Sequence, residues 1–261
     1  MADRVKDKVV VVTGGAQGIG FGCAEMLARE GARVVIGDRN EITGNAAAAK
    51  IREAGGEAVY QPLDVLDEEQ CAALMNAAVA QYGRLDGLVN NVGYYVRTDL
   101  ADMTADIWDT YINLNLRGAM FCCKHALPLM QANGPSNGTT GSIVNVGSIH
   151  GIQSSPNLLA YGAAKGGLLT LTRTIAGAYA QYGIRANYLI PGWVMSEGEI
   201  ALHESMGMPE AELRARGSQM KLGRHQTPQD AAYGVVYLIS DESSQVTGTI
   251  FNISGGSGSF H

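Results

Sequence analysis

A short strand, a glycine-rich turn and a helix open the chain, and no other stretch limits the possible folds as strongly. Val9–Thr13 is a β-branched run that predicts a buried strand. Gly14, Gly18 and Gly20 follow, and an amphipathic helix then extends through Arg29. Glycines at such a junction let the chain turn tightly and let backbone N–H groups approach a phosphate at the helix N-terminus. The arrangement predicts a nucleotide-binding unit, whereas the glycines alone would indicate only a turn.

The same alternation of strand and helix continues along the chain. Further strands are predicted at residues 33–37, 58–61, 85–90, 142–146, 185–190 and 249–253. Helices are predicted at residues 41–54, 67–82, 104–131 and 160–182, and another begins after Thr227. Strands that alternate with helices imply parallel pairing and right-handed crossovers. We therefore predict an α/β fold, a single-domain Rossmann-type doubly wound parallel sheet spanning residues 1–261.

The alternation stops between residues 193 and 222, where the sequence is rich in methionine and polar residues. Two short helices would fit this stretch. An insertion after the carboxyl end of a strand lies over the crevice where doubly wound proteins bind ligands. We predict a small helical lid over a substrate site, and the alternative is an ordinary pair of surface helices.

Charge and cysteine content limit the class of partner. The 261 residues carry a net charge of −6 without a block of like charge, which argues against nucleic acid and anionic membranes as main partners. The chain shows no signal-peptide pattern and no long apolar run. Its four cysteines lack metal-ligand spacing and predict buried reduced thiols. These features predict a cytoplasmic protein that acts on a small molecule.

A serine, a tyrosine and a lysine form the candidate chemical group. Ser148 lies thirteen residues before Tyr161, and Lys165 lies four residues after it. On a helix, Tyr161 and Lys165 share one face. A lysine charge ~4 Å away supplies roughly the 4 kcal/mol needed to lower the phenol pKa from about 10 to about 7. The spacing allows Tyr161 to act as a general acid or base, although such a pair alone is more often a solvated contact.

Asp38 ends the second predicted strand, eighteen residues after Gly20. A carboxylate at this point can accept hydrogen bonds from both ribose hydroxyls of an adenosine and repels a 2′-phosphate. Arg39 follows directly and could instead bind that phosphate, but Gln17 offers no basic partner inside the glycine loop. We therefore predict NAD rather than NADP as the cofactor.

Together these features resemble the short-chain dehydrogenase/reductase family over nearly the whole chain. The matching motifs are the loop at residues 13–20, Asp64-Val65, Asn91-Val92-Gly93, Asn115, Ser148, Tyr161 with Lys165, and Pro191-Gly192. Two positions depart from the family pattern. Val92 replaces the usual alanine beside the cofactor, and Ser196 replaces a threonine that is common there.

The resemblance implies a nicotinamide-dependent oxidoreductase that needs no metal, and an expected homotetramer. Tyr161 would exchange a proton with the substrate oxygen, Lys165 would lower the pKa of that phenol, and Ser148 would hold the oxygen. Asn115 would hold a water molecule that links Lys165 to solvent. The implied cofactor-binding residues are Gly14, Gln17, Gly18, Ile19, Gly20, Asp38, Asp64, Val65, Asn91, Gly93, Tyr161, Lys165, Pro191, Gly192, Val194 and Ser196.

Polar and aromatic residues are expected around the reacting carbon. The predicted substrate-binding residues are Ser148, His150, Gln153, Tyr161, Tyr94, Trp193 and Glu197, with Tyr95, Asn157 and His203 as further members. Their hydrogen-bonding capacity suits a polyhydroxylated ligand, because an unpaired buried polar group costs about 1–3 kcal/mol. The stretch from Ser148 to Leu158 also loosely resembles sugar-oxidising members of the family.

We predict the oxidation of an aldose to its lactone, or of a related polyol, with NAD as acceptor. His150 and Arg97 leave room for an acidic sugar. The alternatives are a reductase of 3-oxoacyl thioesters or other ketones and, from another class, a non-catalytic nucleotide-binding protein.

Overall fold

A parallel sheet with helices on both faces forms the protein. The computed structural model describes residues 3–135, 138–153 and 155–257. The strands in this part of the chain are β1 (Val9–Thr13), β2 (Arg33–Asp38), β3 (Glu57–Pro62), β4 (Gly87–Asn90), β5 (Gly141–Val146), β6 (Ile184–Pro191) and β7 (Ile250–Ile253). They form one sheet in the order β3-β2-β1-β4-β5-β6-β7, and every neighbouring pair is parallel. The predicted doubly wound sheet is confirmed.

The helices cover both faces of this sheet. They are α1 (Gly18–Arg29), α2 (Glu41–Glu53), α3 (Glu68–Tyr82), α4 (Ala105–Ile112), α5 (Gly118–Gln131), α6 (Leu159–Tyr179), α7 (Glu197–Ser205), α8 (Glu210–Ala215) and α9 (Pro228–Ile239). The lid stretch thus contains the two predicted short helices, α7 and α8. None of the described helices is long and apolar enough to cross a membrane.

The strand β1 is buried on both faces, which explains its continuous apolar sequence. Val10 and Val12 pack into a core with residues of α1, α2 and α9. Val9 and Val11 point the other way, into a core with residues of α3, α5 and α6. Successive side chains of a strand alternate between faces, so a single valine run supplies both cores.

All four cysteines are free and buried, as predicted.

The predicted helix at residues 104–131 is wrong in one respect, because a wide turn interrupts it. Thr104 caps the first part, α4, through its side chain, and α5 begins only at Gly118. Between them, Asn113–Arg117 forms a π-helical turn. The side-chain amide of Asn115 donates to the backbone oxygen of Tyr111, 3.0 Å away. A side chain inserted among the main-chain hydrogen bonds of a helix widens it locally.

Smaller differences concern the ends of elements. The predicted helix at 160–182 begins at Leu159 and ends at Tyr179, and a tight 3₁₀ turn, Ala180–Tyr182, follows it. The chain then reverses at Gly183, whose φ of 74° favours glycine. The strand predicted from residue 85 begins at Gly87.

The contact between α1 and α9 depends on a glycine and gives a test of the packing. A Cβ added at Gly22 would lie 2.6 Å from the Cβ of Pro228. Gly22→Ala should therefore lower the free energy of unfolding by about 1–3 kcal/mol through overpacking. Gly177→Ala is the matched control, because Gly177 lies in α6 with no atom within 4 Å of an added Cβ.

The control should raise the free energy of unfolding by about 0.5–1 kcal/mol, since alanine is the better helix former. Urea unfolding followed by circular dichroism measures both effects. Equal effects of the two substitutions would contradict the close packing of α1 on α9.

Candidate active site

The carboxyl ends of β1 and β4 are joined at the point where the strand order reverses, which is where such sheets bind ligands. The hydroxyl of Thr13 accepts a hydrogen bond from the backbone N–H of Asn91 at 3.1 Å. The Asn91 amide donates to the backbone oxygen of Gly14 at 3.0 Å. These contacts hold the glycine-rich turn against the end of β4.

The glycine-rich turn has the backbone geometry that a phosphate site requires. Gly14 and Gly18 have φ angles of 62° and 56°, in the left-handed region that favours glycine. A Cβ added at Gly20 would lie 2.0 Å from the backbone oxygen of Gly14. The turn therefore brings bare backbone to the N-terminus of α1, and its shape fits a pyrophosphate. Gln17 and Ile19 complete this turn, with Gln17 at the N-cap of α1.

Asp38 lies at the end of β2 with its carboxylate against the glycine-rich turn. One oxygen accepts from the backbone N–H of Ala16 at 3.2 Å, and the other accepts from that of Asn40 at 3.1 Å. The hydroxyl of Tyr60 donates to the backbone oxygen of Asp38 at 2.9 Å. The carboxylate is thus held in a fixed position, while Arg39 is exposed beside it.

The remaining predicted cofactor residues follow β3 and β6. Asp64 accepts from the backbone N–H of Leu66 at 2.9 Å, and Val65 is buried against Gly118. Ser196 caps α7 by accepting from the backbone N–H of Glu199 at 3.2 Å. A Cβ added at Gly18 would lie 3.4 Å from that of Ser196, so the start of α7 closely approaches the glycine-rich turn.

The end of β6 is held by the segment that precedes α9. The backbone N–H of Gly192 donates to the side-chain oxygen of Gln226 at 2.6 Å. Val194 is buried and forms a bridge with Gln226, and Pro191 is the last residue of the strand.

Lys165 is buried and lies one turn after Tyr161 on α6. Its ammonium donates to the backbone oxygen of Val146 at 2.9 Å and lies 5.8 Å from the centroid of the Tyr161 ring. A Cβ added at Gly93 would lie 3.8 Å from the Lys165 nitrogen, so the end of β4 also reaches this point. Burial lowers the pKa of Lys165 to about 8.

The Tyr161 phenol differs from the prediction. Burial raises its pKa above the ordinary value, the hydrogen bond with Ser148 lowers it, and the nearby charge of Glu199 raises it further. This direction is opposite to the lowering to near neutrality that was expected from Lys165. Loss of solvent around the phenol is the largest effect, and the ammonium is directed at the oxygen of Val146.

Tyr188 on β6 is a site residue that the sequence analysis missed. Its hydroxyl accepts from the backbone N–H of Ser148 at 2.9 Å and lies 3.1 Å from the backbone oxygens of both Ser148 and Lys165. A Cβ added at Gly147 or Gly151 would clash with this side chain. A tyrosine within a buried strand needs a partner for its hydroxyl, and that signal is visible in the sequence.

Asn115 holds the segment after β4. Its side-chain amide donates to the backbone oxygens of Tyr94 and Tyr111 at 2.9 and 3.0 Å, and its oxygen accepts from the backbone N–H of Tyr94 at 3.1 Å. Both amide hydrogens are therefore engaged with the backbone. The water molecule predicted between Asn115 and Lys165 stays a prediction.

Glu199 on α7 is the second missed residue. The hydroxyl of Tyr95 donates to one carboxylate oxygen, and the indole of Trp193 donates to the other at 2.5 Å. His203 donates from Nδ1 to the backbone oxygen of Glu199 at 3.0 Å. The Tyr95 ring lies 5.9 Å from the Tyr161 ring, so this cluster borders the candidate proton donor.

The predicted substrate residues separate into two groups. His150 lies beside Tyr161, with 6.3 Å between ring centroids, and burial together with Arg97 lowers its pKa. Gln153 and Glu197 instead face solvent, and Tyr94 is exposed by 41%. Asn157 accepts from Arg97 at 3.3 Å.

No group of three His, Cys, Asp or Glu side chains arranged to hold a metal occurs in the described ranges.

Comparison with known proteins identifies the family. A family model of short-chain dehydrogenases, described as enoyl-(acyl carrier protein) reductase, matches residues 14–258. The chain belongs to the short-chain dehydrogenase/reductase family. This short-chain dehydrogenase is 39% identical over 258 residues to cis-4-hydroxycyclohexanecarboxylate dehydrogenase of Sinomonas cyclohexanicum, and the match covers 98% of each chain.

Two further comparisons agree with this membership. Cyclopentanol dehydrogenase of Comamonas testosteroni is 35% identical to the dehydrogenase over 254 residues, which cover 97% of this chain and 98% of the relative. The crystal structure of levodione reductase superimposes with a TM-score of 0.89 at 30% identity, covering 98% of this chain and 99% of that structure.

The buried charge of Lys165 gives a test by pH. The pKa of Lys165 is about 8 in the folded dehydrogenase, against 10.5 for a free lysine side chain. The folded state therefore binds fewer protons than the unfolded state between these values, and stability rises with pH across that window. Relative to Lys165→Met, the wild-type free energy of unfolding should increase by about 2 kcal/mol between about pH 7.5 and about pH 9.5.

Urea unfolding at the two pH values measures this difference. Lys124→Met is the control, because Lys124 is 59% exposed. A Lys165→Met variant whose stability follows the wild type at both pH values would contradict the burial of the charge.

Proposed function

We propose that this short-chain dehydrogenase oxidises an uncharged secondary alcohol on a carbocyclic ring, with NAD as the hydride acceptor. The observation that carries the proposal is the pairing of Tyr95 and Trp193 with Glu199. The polar atoms of both aromatic side chains are engaged within the protein. The Tyr95 ring lies beside Tyr161, whereas the Trp193 ring packs against His203 and His225. An aromatic face whose hydroxyl is already bonded suits a hydrocarbon ring better than a ring with many hydroxyl groups.

Hydrogen bonds between other residues beside the site support the same class of substrate. The oxygen of Asn157 is bound by Arg97, and Nδ1 of His203 is bound to the backbone of Glu199. The hydrogen-bonding capacity that favoured a sugar in the sequence is thus largely used between residues. The names of two relatives, cyclopentanol dehydrogenase and cis-4-hydroxycyclohexanecarboxylate dehydrogenase, also specify alcohols on carbocyclic rings, of which the first is uncharged and the second carries a carboxylate.

The proposed roles follow from the hydrogen bonds around Tyr161. Ser148 lies close enough to Tyr161 to lower the pKa of its phenol. An alcohol oxygen held by the Ser148 hydroxyl would therefore lie within reach of the ionised Tyr161 oxygen, which would accept the alcohol proton. Lys165, held by the oxygen of Val146, would place a positive charge beside the phenol as that proton moves. NAD, when bound, supplies the hydride acceptor. The residues of this chain bind the alcohol and transfer its proton.

NAD is proposed over NADP because of Asp38. Its carboxylate is held at the end of β2 by the N–H groups of Ala16 and Asn40, beside the turn that would carry the pyrophosphate. A ribose hydroxyl can donate to a carboxylate there, and a 2′-phosphate is repelled by it. Arg39 is exposed, and its positive charge would instead favour the 2′-phosphate of NADP.

An aldose or polyol is the second candidate, as the sequence analysis proposed. His150 favours it, because its buried Nδ1 has no hydrogen-bond partner among the described residues and could bind a substrate hydroxyl. The reduction of a 3-oxoacyl thioester is the third candidate, and the description of the matching family model favours it.

We also infer that residues 193–222 act as a lid over this site, since the Trp193–Glu199 contact lies next to Tyr95. The homotetramer and the cytoplasmic location stay predictions from the sequence.

Catalytic efficiency for three substrate classes tests the reaction. Cyclopentanol or cyclohexanol with NAD should be oxidised with a higher kcat/KM than any aldose or polyol of a panel. This kcat/KM should also exceed the kcat/KM for the reduction of an acetoacetyl thioester with NADH. The aromatic face of Tyr95 beside Tyr161, whose hydroxyl is already bonded to Glu199, is the reason for this order. A higher kcat/KM for an aldose would show that the enzyme oxidises a sugar. A higher kcat/KM for the thioester would show that it is a thioester reductase.

Tyr161→Phe should lower kcat for the best substrate by about 10²–10⁴-fold, because only the transferable proton is removed. NAD binding, measured by the quenching of protein fluorescence, should persist. Turnover above about a tenth of the wild-type value would show that another group transfers the proton.

The Asp38 charge predicts cofactor choice. Wild type should prefer NAD to NADP by at least about thirtyfold in Kd, because a carboxylate and a phosphate a few ångströms apart repel by about 2 kcal/mol or more. Asp38→Asn should reduce this preference several-fold, since the charge is removed and the hydrogen-bonding shape is kept. Arg39→Gln tests the alternative. A large loss of NADP binding in that variant, with Asp38→Asn unchanged, would assign cofactor choice to Arg39.

A further inference from the structure

We propose that Glu199 determines specificity by excluding substrates that carry a negative charge close to the reacting carbon. The inference rests on the proposed function, which places the alcohol beside Tyr161. It deepens that function by naming the charge of the accepted substrates. Sequence reasoning pointed the other way, because His150 and Arg97 left room for an acidic sugar.

The position of Glu199 makes its charge part of the substrate site. Its side chain is only 12% exposed, so little solvent screens it. Tyr95 contacts the carboxylate through its hydroxyl, and the ring of the same residue lies 5.9 Å from the ring of Tyr161. A single side chain therefore separates the carboxylate from Tyr161, the residue proposed to accept the alcohol proton. The charge is also felt at Tyr161, whose pKa it raises.

The two groups that bind the carboxylate oxygens are uncharged. The Tyr95 hydroxyl and the Trp193 indole both donate to it, and neither carries a positive charge that would cancel that of a carboxylate. His203 is the nearest side chain that can become positive, with Nδ1 3.4 Å from one carboxylate oxygen. Its Nδ1 hydrogen is already donated to the backbone oxygen of Glu199.

The other cationic groups near the site are directed elsewhere. The Lys165 ammonium donates to the backbone oxygen of Val146 at 2.9 Å. Arg97 is exposed and donates to Asn157. Burial lowers the pKa of His150, so that ring is uncharged at neutral pH. A substrate anion near Tyr161 would thus meet a largely buried negative side chain, whereas Arg97, whose charge also acts on His150 and Tyr95, is exposed to solvent and bonded to Asn157.

The size of the effect follows from the electrostatics of a partly buried pair. Two like charges ~6 Å apart at an effective dielectric of ~20 change a binding constant by about a hundredfold, and partial screening reduces this to about tenfold. A neutral substrate of the same shape escapes this penalty. The site should therefore discriminate by charge among ligands that fit equally well.

A matched pair of probes separates charge from shape. The probes are cis-4-hydroxycyclohexanecarboxylate and its primary amide, used with the full-length protein and NAD at about pH 7.5, where an ordinary imidazole is mainly uncharged. Calorimetry gives Kd for each probe, and the absorbance of NADH gives kcat and KM. Glu199→Gln removes the charge and keeps the side-chain shape. Glu204→Gln is the control, because Glu204 is an exposed glutamate on the same helix.

Wild type should bind the amide at least about tenfold more tightly than the carboxylate. Glu199→Gln should reduce this ratio about tenfold, through Kd and KM rather than kcat, and Glu204→Gln should leave it within about twofold. Tyr95→Phe keeps the charge and loses a hydrogen bond that positions α7. This substitution should weaken the binding of both probes to the same extent. It therefore distinguishes an effect of the Glu199 charge from an effect of the position of α7.

Equal binding of the two probes by wild type, or an unchanged ratio in Glu199→Gln, would overturn the inference. A changed ratio in Tyr95→Phe equal to that in Glu199→Gln would also overturn it, because structure rather than charge would then be responsible. The absence of binding by either probe has the same consequence. The expected binding ratios without turnover of either probe would instead overturn the proposed reaction and leave the role of Glu199 intact.

Discussion

A single buried phenol holds the candidate catalytic residues in register. The hydroxyl of Tyr188 contacts the backbone of Ser148 on one side and the backbone of Lys165 on the other. The ring fits only because Gly147 and Gly151 lack side chains. Without that hydroxyl, the buried N–H of Ser148 would lose its partner, which costs about 1–3 kcal/mol. The relative position of the serine after β5 and the lysine on α6 therefore depends on a residue of the neighbouring strand, β6.

Burial shifts the pKa values of Lys165 and Tyr161 in opposite directions. It lowers the pKa of Lys165 to about 8 and raises that of Tyr161. The sequence argument placed an ammonium near a phenol and counted only their attraction. In the folded protein, each group also loses solvent, and for Tyr161 that loss is the larger effect. The contacts around Tyr161 thus do not lower the pKa of its phenol in the way that the sequence argument expected, and the Lys165 ammonium donates to the oxygen of Val146.

The parts that the sequence predicted are those encoded by local patterns. The unit of β1, the glycine-rich turn and α1, the alternation of elements and the spacing of Tyr161 and Lys165 all depend on near neighbours. The contacts that it missed join distant residues, such as Tyr95 with Glu199 and Ser148 with Tyr188. For example, the sequence prediction placed Glu197 in the substrate site, whereas in the fold Glu197 faces solvent and Glu199 lies beside the site. Two residues apart on a helix differ by about 200° in direction, and only packing shows which of them faces the site.

The types of residue that line a site do not by themselves define its substrate. Tyr95 and Trp193 each add polar atoms when read from the sequence, and they contributed to the prediction of a ligand with many hydroxyl groups. In the fold, the two aromatic donors are bound to the carboxylate of Glu199, so most of that capacity is used within the protein. What remains for a substrate includes the aromatic face of Tyr95, the charge of Glu199 and the unpaired Nδ1 of His150. Recognition in this site therefore depends on the atoms left unpaired after folding. The proposed carbocyclic alcohol follows from the aromatic face and the negative charge, and a sugar would follow from His150.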